Sequence, residues 1–390
     1  MRGFSSRIKR LKPSPTLSIA EKARQLEARG EKIIRLDIGE PVFETPEHIR
    51  KAAIEALERG YTHYTPSRGI PELREAIADY YHERFKVDVD AKSEVIVTPG
   101  SKFAIFAAIQ SLVDSGDEVI VLTPAWPTYW SCVELAGGRV VEVSCGDGFV
   151  LDEEKLKNAI SDKSKVILVN SPNNPTGGVL SKRDLKVIAD LALDHDLYII
   201  SDEIYRLIVY DEVEPHTMLS FSEVRDRLIV VDGFSKAWAM TGWRLGFTIA
   251  PKSVIDCINK VQQNATTCPT AFVQYAGVAA LKGDQSCVLE MVKKYDERRR
   301  FLVEALNSIE GVRCTAPKGA FYAFPEMSAL GMSSVELASE LLAKAGVCTV
   351  PGSVFGAGGE HHLRICFASS IDQIREGANR IRRFVEEVMG

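Results

Sequence analysis

The sequence predicts an α/β fold, a mainly parallel sheet with helices on both faces, joined to a smaller α+β domain. Three observations carry this expectation. Between about residues 94 and 250, short apolar β-rich runs alternate with helical patterns, the signature of parallel strands linked by helices that cover the sheet on both sides. After about residue 285 the texture changes to one long amphipathic pattern followed by short strands. The chain has 390 residues, 45% of them hydrophobic, enough for two cores.

In chain order, residues 1–44 are too few for a domain and read as an arm packing with the smaller one. Its first twelve residues are basic (Arg2, Arg7, Lys9, Arg10, Lys12). No apolar stretch or cleavage site follows them, so they read as a solvated arm rather than a targeting segment. Thr45-Pro46-Glu47 opens a helix, with Thr45 as N-cap and Pro46 at the first position, and starts a large domain over 45–284. Its strands are expected at 94–98, 118–122, 140–143, 166–169, 198–201, 228–231 and 246–250. Helices are expected at 102–113, 126–135, 153–160 and 182–193. The smaller domain, 285–390, begins with a helix whose stripe is Val288, Met291, Val292, Tyr295, Leu302, Leu306 and Ile309. Strands at 312–315 and 320–324 come next, then a helix opened by the capping box Ser333-x-x-Glu336. A strand at 363–367 and a terminal helix bearing Ile371, Ile374, Ile381 and Val385 end the chain.

Composition removes several function classes. Net charge is -5 and the pI about 5.9, so no basic field invites nucleic acid. No apolar run approaches the roughly 20 residues of a membrane span. Eight scattered cysteines without a CxxC pair argue against a zinc knuckle or a disulfide framework and fit a reducing cytoplasm. His361-His362 would point to opposite faces of a strand, so no metal site is expected.

Ligands of such sheets bind beyond the carboxyl ends of the strands. Polar residues recur there: Gly100-Ser101, Asn174, Asp202 and Ser235-Lys236. Lys236 has no acid within three positions, and its neighbours Phe234, Ala237 and Trp238 are apolar. A desolvated lysine of this kind is a nucleophile toward carbonyls. Asp202 either caps the next element or holds a cationic ring nitrogen, with Tyr205 one helical turn away. Asn174 lies in the turn-rich SPNNPTGG and could bond a ring oxygen. TPGSK, 98–102, joins a strand to a helix, and a helix start seats phosphate; Ser235 and Arg244 add a hydroxyl and a guanidinium. Lys102 adds charge there or is merely solvated. Trp126 offers a flat face or packs in the core. Arg364 sits among apolar neighbours and needs a carboxylate, from protein or substrate. One ligand answers an aldehyde-seeking amine, an acid for a ring nitrogen, donors for a ring oxygen, a phosphate seat and a stacking face: pyridoxal 5'-phosphate.

These residues stand in motifs that run through the chain in order: GEP (39–41), YTPSRGIPELREAI (64–77), TPGS (98–101), NNPTG (173–177), SDEIY (201–205), GFSKAWAMTGWRLG (233–246) and LRICFA (363–368). In them the sequence resembles the class I aminotransferases of pyridoxal-phosphate fold type I, in their aspartate-aminotransferase-like branch. The resemblance implies that Lys236 attaches the cofactor and acts as the base. It implies that Asp202 holds the ring nitrogen, Asn174 and Tyr205 the ring oxygen, Trp126 the ring face, and Ser101, Ser235 and Arg244 the phosphate, with Lys102 counted among the cofactor-binding residues for its charge alone. Arg364 would clamp the substrate carboxylate, with Gly39, Asn174 and Trp126 beside it. Tyr64 would reach the phosphate of the neighbouring subunit, which makes a homodimer the expected unit. The implied activity is ping-pong Schiff-base transamination, from an L-amino acid (aspartate favoured) to 2-oxoglutarate. Aromatic-amino-acid or alanine transamination and a lyase on the same fold are the alternatives. The cation for a distal carboxylate is left among Lys12, Arg68 and Lys102, and the segment 13–19 resembles the family's flap.

Overall fold

A computed structural model describes residues 4–11 and 15–390 of the chain. Lys12 and the start of the 13–19 segment lie outside the described residues. The strands are β1 (Ile34–Arg35), β2 (Val95–Thr98), β3 (Glu118–Thr123), β4 (Arg139–Ser144), β5 (Ser164–Asn170), β6 (Tyr198–Asp202), β7 (Leu228–Gly233), β8 (Gly246–Ile249), β9 (Tyr322–Ala323), β10 (Val347–Cys348), β11 (Val350–Pro351) and β12 (Leu363–Cys366).

Seven of them form one sheet in the order β2-β8-β7-β6-β5-β3-β4. All pairings are parallel except those of β8, which runs antiparallel to β2 and β7. The continuous apolar runs follow from burial on both faces. In β3, Val119 and Val121 enter one core cluster while Ile120 and Leu122 enter the other. Alternate residues of a strand point to opposite faces, so a strand covered on both sides must be apolar throughout. Helices Ser101–Leu112 and Lys252–Ala265 cover one face; Pro71–Phe85, Lys182–Asp194 and Ala271–Lys282 cover the other.

A third core joins β9 and β12 to helices Ser286–Asn307, Ser334–Ala345 and Ile371–Met389, and it takes in Leu36, Ile204 and Tyr205. β1 pairs in parallel with β10, and Ala23 packs with Leu342 and Cys348. The expected capping box closes between Ser333 and Glu336, and a second one forms between Ser181 and Asp184; each contributes about 1 kcal/mol.

Several local expectations are corrected. Thr45 is not an N-cap: helix Glu47–Glu58 is preceded by Pro46 without a side-chain cap. Thr45 Oγ1 instead donates to the Ala239 carbonyl at 2.6 Å, tying the helix start to the lysine segment. Residues 312–315 form no strand, only a bridge from Arg313 to Glu326. The 320–324 strand shrinks to β9, because Ala320 takes a positive φ of 53°. Ile371 stands at the exposed start of the terminal helix, whose buried stripe begins at Ile374. No described helix is long and apolar enough to cross a membrane, and no described cluster of His, Cys, Asp and Glu could hold a metal ion.

Candidate active site

The parallel strands deliver their carboxyl ends to one rim, and a cavity of about 550 Å³ opens there. Helix Ser101–Leu112 begins at this rim, directly after β2, with Gly100 at φ 84° as its N-cap. A Cβ on Gly100 would meet the Arg244 guanidinium at 2.5 Å. Glycine is therefore required both for the backbone conformation and for the close approach. The first amides of that helix have no intrahelical acceptor; Ser101, Ser235 and Arg244 line the cavity beside them. Amides at a helix start, two hydroxyls and a guanidinium form a donor set suited to a phosphate dianion.

Lys236 follows β7. Its Nζ donates to the Gly39 carbonyl at 2.8 Å and makes no salt bridge among the described residues. Desolvation, more than any neighbouring charge, pushes the amine down to about 8. Asp202 ends β6 and is 3% exposed; burial pushes it up to about 6. That rise is held back by two donors, the Tyr129 hydroxyl at 2.7 Å and the Ile204 amide at 3.2 Å. Its neighbour Glu203 turns away from the cavity, accepting from Ser201 and the Met218 amide.

Arg364, on β12, is 4% exposed. Nη1 donates to Asn174 Oδ1 at 3.1 Å and Nη2 to the Asp37 carbonyl at 2.6 Å. Nε is buried without a partner, and among the described residues no carboxylate bonds this guanidinium. A buried arginine with an unsatisfied edge is costly unless a ligand completes it. Of the alternatives left open above, this favours an anion from outside the chain. The Tyr205 hydroxyl lies 2.8 Å from that of Tyr322, and Arg364 stacks 4.6 Å over the Tyr322 ring.

The cavity thus gathers Gly39, Ser101, Lys102, Trp126, Asn174, Asp202, Tyr205, Ser235, Lys236, Arg244 and Arg364. Tyr64 is not among them: in the single chain it is 86% exposed, away from the cavity. Of the cation candidates, Arg68 is spent on Asp256 and the Lys92 carbonyl. Lys102 lines the cavity, its amine 4.8 Å over the Trp126 ring and pushed down by desolvation.

Sequence reasoning missed Tyr129, Asn170, Tyr322 and Asp37, all of which line the cavity. Asn170 carried a signal, as the last residue of an apolar strand at the rim; its Oδ1 accepts the Asn174 amide and its Nδ2 donates to the Asp202 carbonyl. Tyr129, one helical turn beyond Trp126, carried a weaker one. Tyr322 and Asp37 come from distant segments and carried none.

Comparison with known proteins covers nearly the whole chain. Residues 31–381 match the family model described as aminotransferase class I and II. The chain is 43% identical to an aspartate aminotransferase of Pyrococcus abyssi, over 91% of this chain and 92% of that one. It is 40% identical to aromatic-amino-acid aminotransferase 2 of Thermococcus litoralis, over 98% of both. Among solved structures it resembles the aspartate aminotransferase of Thermus thermophilus with maleate, at 40% identity and a TM-score of 0.93, over 98% of this chain and all of that one.

Proposed function

The chain belongs to the class I and II aminotransferases, and from that premise we propose that it is a pyridoxal-phosphate-dependent transaminase with aspartate and 2-oxoglutarate as its favoured pair. The observation that carries the reading is one cavity holding a desolvated amine, a buried carboxylate and a buried guanidinium without an acid partner.

The residues present fit the cofactor. The Gly100 cradle, which a Cβ would fill, with Ser101, Ser235 and Arg244, suits its phosphate. Asp202 suits its ring nitrogen and Trp126 its ring face. Asn174 has given its Oδ1 to Arg364, so its donor end remains for a ring oxygen beside Tyr205. When bound, pyridoxal phosphate supplies an aldehyde that exchanges amines and a ring that accepts an electron pair. Lys236, largely free of its proton at pH values above about 8, offers the amine and moves the proton at the substrate α-carbon. Asp202, ionised above about 6, holds a proton on the ring nitrogen. Arg364 fixes the α-carboxylate, so that the α-proton stands within reach of Lys236; proximity of this kind accelerates proton transfer.

Lys102 supports the dicarboxylate reading, since an amine over an aromatic face at the cavity edge can take a distal carboxylate. The mixed wall, which includes Ile38 and Trp126 as well as Lys102, supports aromatic donors as the second reading, and a relative bears that name. Two half-reactions then share one site in ping-pong order. The reading includes a homodimer completed by Tyr64, and the division into a 1–44 arm, a 45–284 large domain and a 285–390 small domain.

A donor panel tests it: aspartate, tyrosine and alanine, each with 2-oxoglutarate. Glutamate formation, fastest from aspartate, is expected. Fastest turnover from tyrosine would move the assignment to the aromatic reading, and phenol, pyruvate and ammonia from tyrosine in the absence of an acceptor would sink transamination.

A further inference from the structure

Two groups on which this chemistry turns are bonded to one short stretch of backbone. Lys236 Nζ donates to the Gly39 carbonyl and Arg364 Nη2 to the Asp37 carbonyl, two residues apart. The stretch is anchored on one side by main-chain bonds, from the Leu36 amide to Cys348 and from the Cys366 amide to Leu36. Tyr322 closes over Gly39, its hydroxyl crowding the space that a Cβ would need.

The other anchor is an ion pair. Asp37 is 4% exposed and accepts from Arg35 Nε and Nη2, both at 2.8 Å. The remaining terminal nitrogen, Nη1, reaches Glu27 at 3.2 Å. Glu27 belongs to helix Pro15–Ala28, which also brings Ala20 to the cavity wall.

Asp37 is among the residues lining the cavity, with its carbonyl on Arg364 and its carboxylate buried; a bare carboxylate buried so near would repel an anionic substrate and be costly. A bidentate guanidinium cancels the charge. Its planar fork also fixes the carboxylate's orientation, and through it the backbone that carries the two carbonyls.

We propose that Arg35, through its pair with Asp37, is a positioning residue for substrate binding: it fixes the 37–39 backbone that holds Lys236 and Arg364, and it neutralises the buried acid next to the place where the substrate carboxylate docks. The inference rests on the reading of Arg364 as the carboxylate clamp.

The test uses the holoenzyme and the best donor of the panel. Arg35→Gln leaves Asp37 unpaired; KM for the donor is expected to rise about tenfold, with a smaller fall in kcat through the loosened Gly39 carbonyl. Binding of the donor's 2-methyl analogue, which has no α-proton to lose, should weaken by the same factor, with the affinity for pyridoxal phosphate unchanged. Adding Asp37→Asn to Arg35→Gln should recover much of the loss, because the uncancelled charge goes with it; a purely structural pair would lose further. Arg35→Lys keeps the charge but not the fork, and serves if Arg35→Gln folds poorly, with an expected loss of about threefold. A lower melting temperature with unchanged KM and analogue binding in Arg35→Lys and Arg35→Gln would overturn the proposal. Arg364→Lys separates the two levels. If it weakens the analogue while the Arg35 variants do not, only this inference fails; if Arg364→Lys has no effect, the clamp reading itself fails.

Discussion

Lys236 carries its charge in a place that penalises it. Its amine has a backbone carbonyl for a partner and lies 5.8 and 5.7 Å from the rings of Tyr205 and Phe321. Its folded-state value, about 8, lies below the ordinary 10.5 of the unfolded chain. Below pH 8 both states are protonated and the folded cofactor-free protein bears the full penalty. Between pH 8 and 10.5 the unfolded state holds the extra proton, so stability rises with pH. Lys236→Met should therefore stabilise the cofactor-free protein below pH 8, by about 3 kcal/mol at most, and the gain should disappear by about pH 10.5. Thermal melts across that range check it; an equal gain at every pH would mean that packing, not charge, is the cause. Lys236, Asp202 and Arg364 were legible in the sequence for one reason, a charged residue in or just beyond an apolar strand without a local partner. Tyr129, Asp37 and Tyr322 were not. A tyrosine in an apolar helix reads as core, an acid two residues from Arg35 reads as a surface pair, and only the fold carries their groups to Asp202, Arg364 and Gly39.

At the scale of elements, six of the seven strands of the main sheet were readable because burial on both faces erases alternation and leaves apolar runs; β4, at the sheet edge and mostly exposed or half-buried, was readable from its valines alone. The two-residue strands β1, β10 and β11 leave no such run, since their neighbours, not their composition, make them strands. Helix caps were readable where the side chain itself caps, as Ser333 does; the helix after Pro46 starts within a residue of where it was expected, but Thr45, with the right chemistry for a cap, spends its hydroxyl on Ala239. Helix Ser101–Leu112 is the element that most directly links fold to site. Gly100 at φ 84° lets Arg244 pack against the turn, and Gly246 of β8 lies close beneath, where a Cβ would strike the Ser101 amide. Gly100→Ala should force a left-handed conformation on an alanine and displace the guanidinium together. The expected result is at least about tenfold weaker pyridoxal-phosphate binding, read from quenching of the protein's tryptophan fluorescence. A variant that melts lower but binds the cofactor as tightly as wild type would show that the turn does not form the phosphate seat.

For the whole molecule, the exposed position of Tyr64 is the feature that a single chain does not account for. It is 86% exposed, and Ile54 and Leu57, three residues apart on helix Glu47–Glu58, are 53% and 44% exposed. Residues at that spacing share a face of the helix. In a two-fold dimer a residue outside its own cavity can complete its partner's. The consequence is measurable with two inactive proteins. Lys236→Ala removes the amine from its own subunit's site, whereas Tyr64→Ala, if Tyr64 acts across the interface, damages only the site of the other. Co-expressed with different tags, the two would form hybrids in which both defects fall in one site and the second site is intact. Random pairing of equal amounts makes half the dimers hybrid, each with one working site, so activity should return to about a quarter of wild type. If Tyr64 serves its own subunit, every site in the mixture carries one lesion and no activity returns. Light scattering on the wild-type protein supplies the independent check, a mass near twice the 43.0 kDa of the chain.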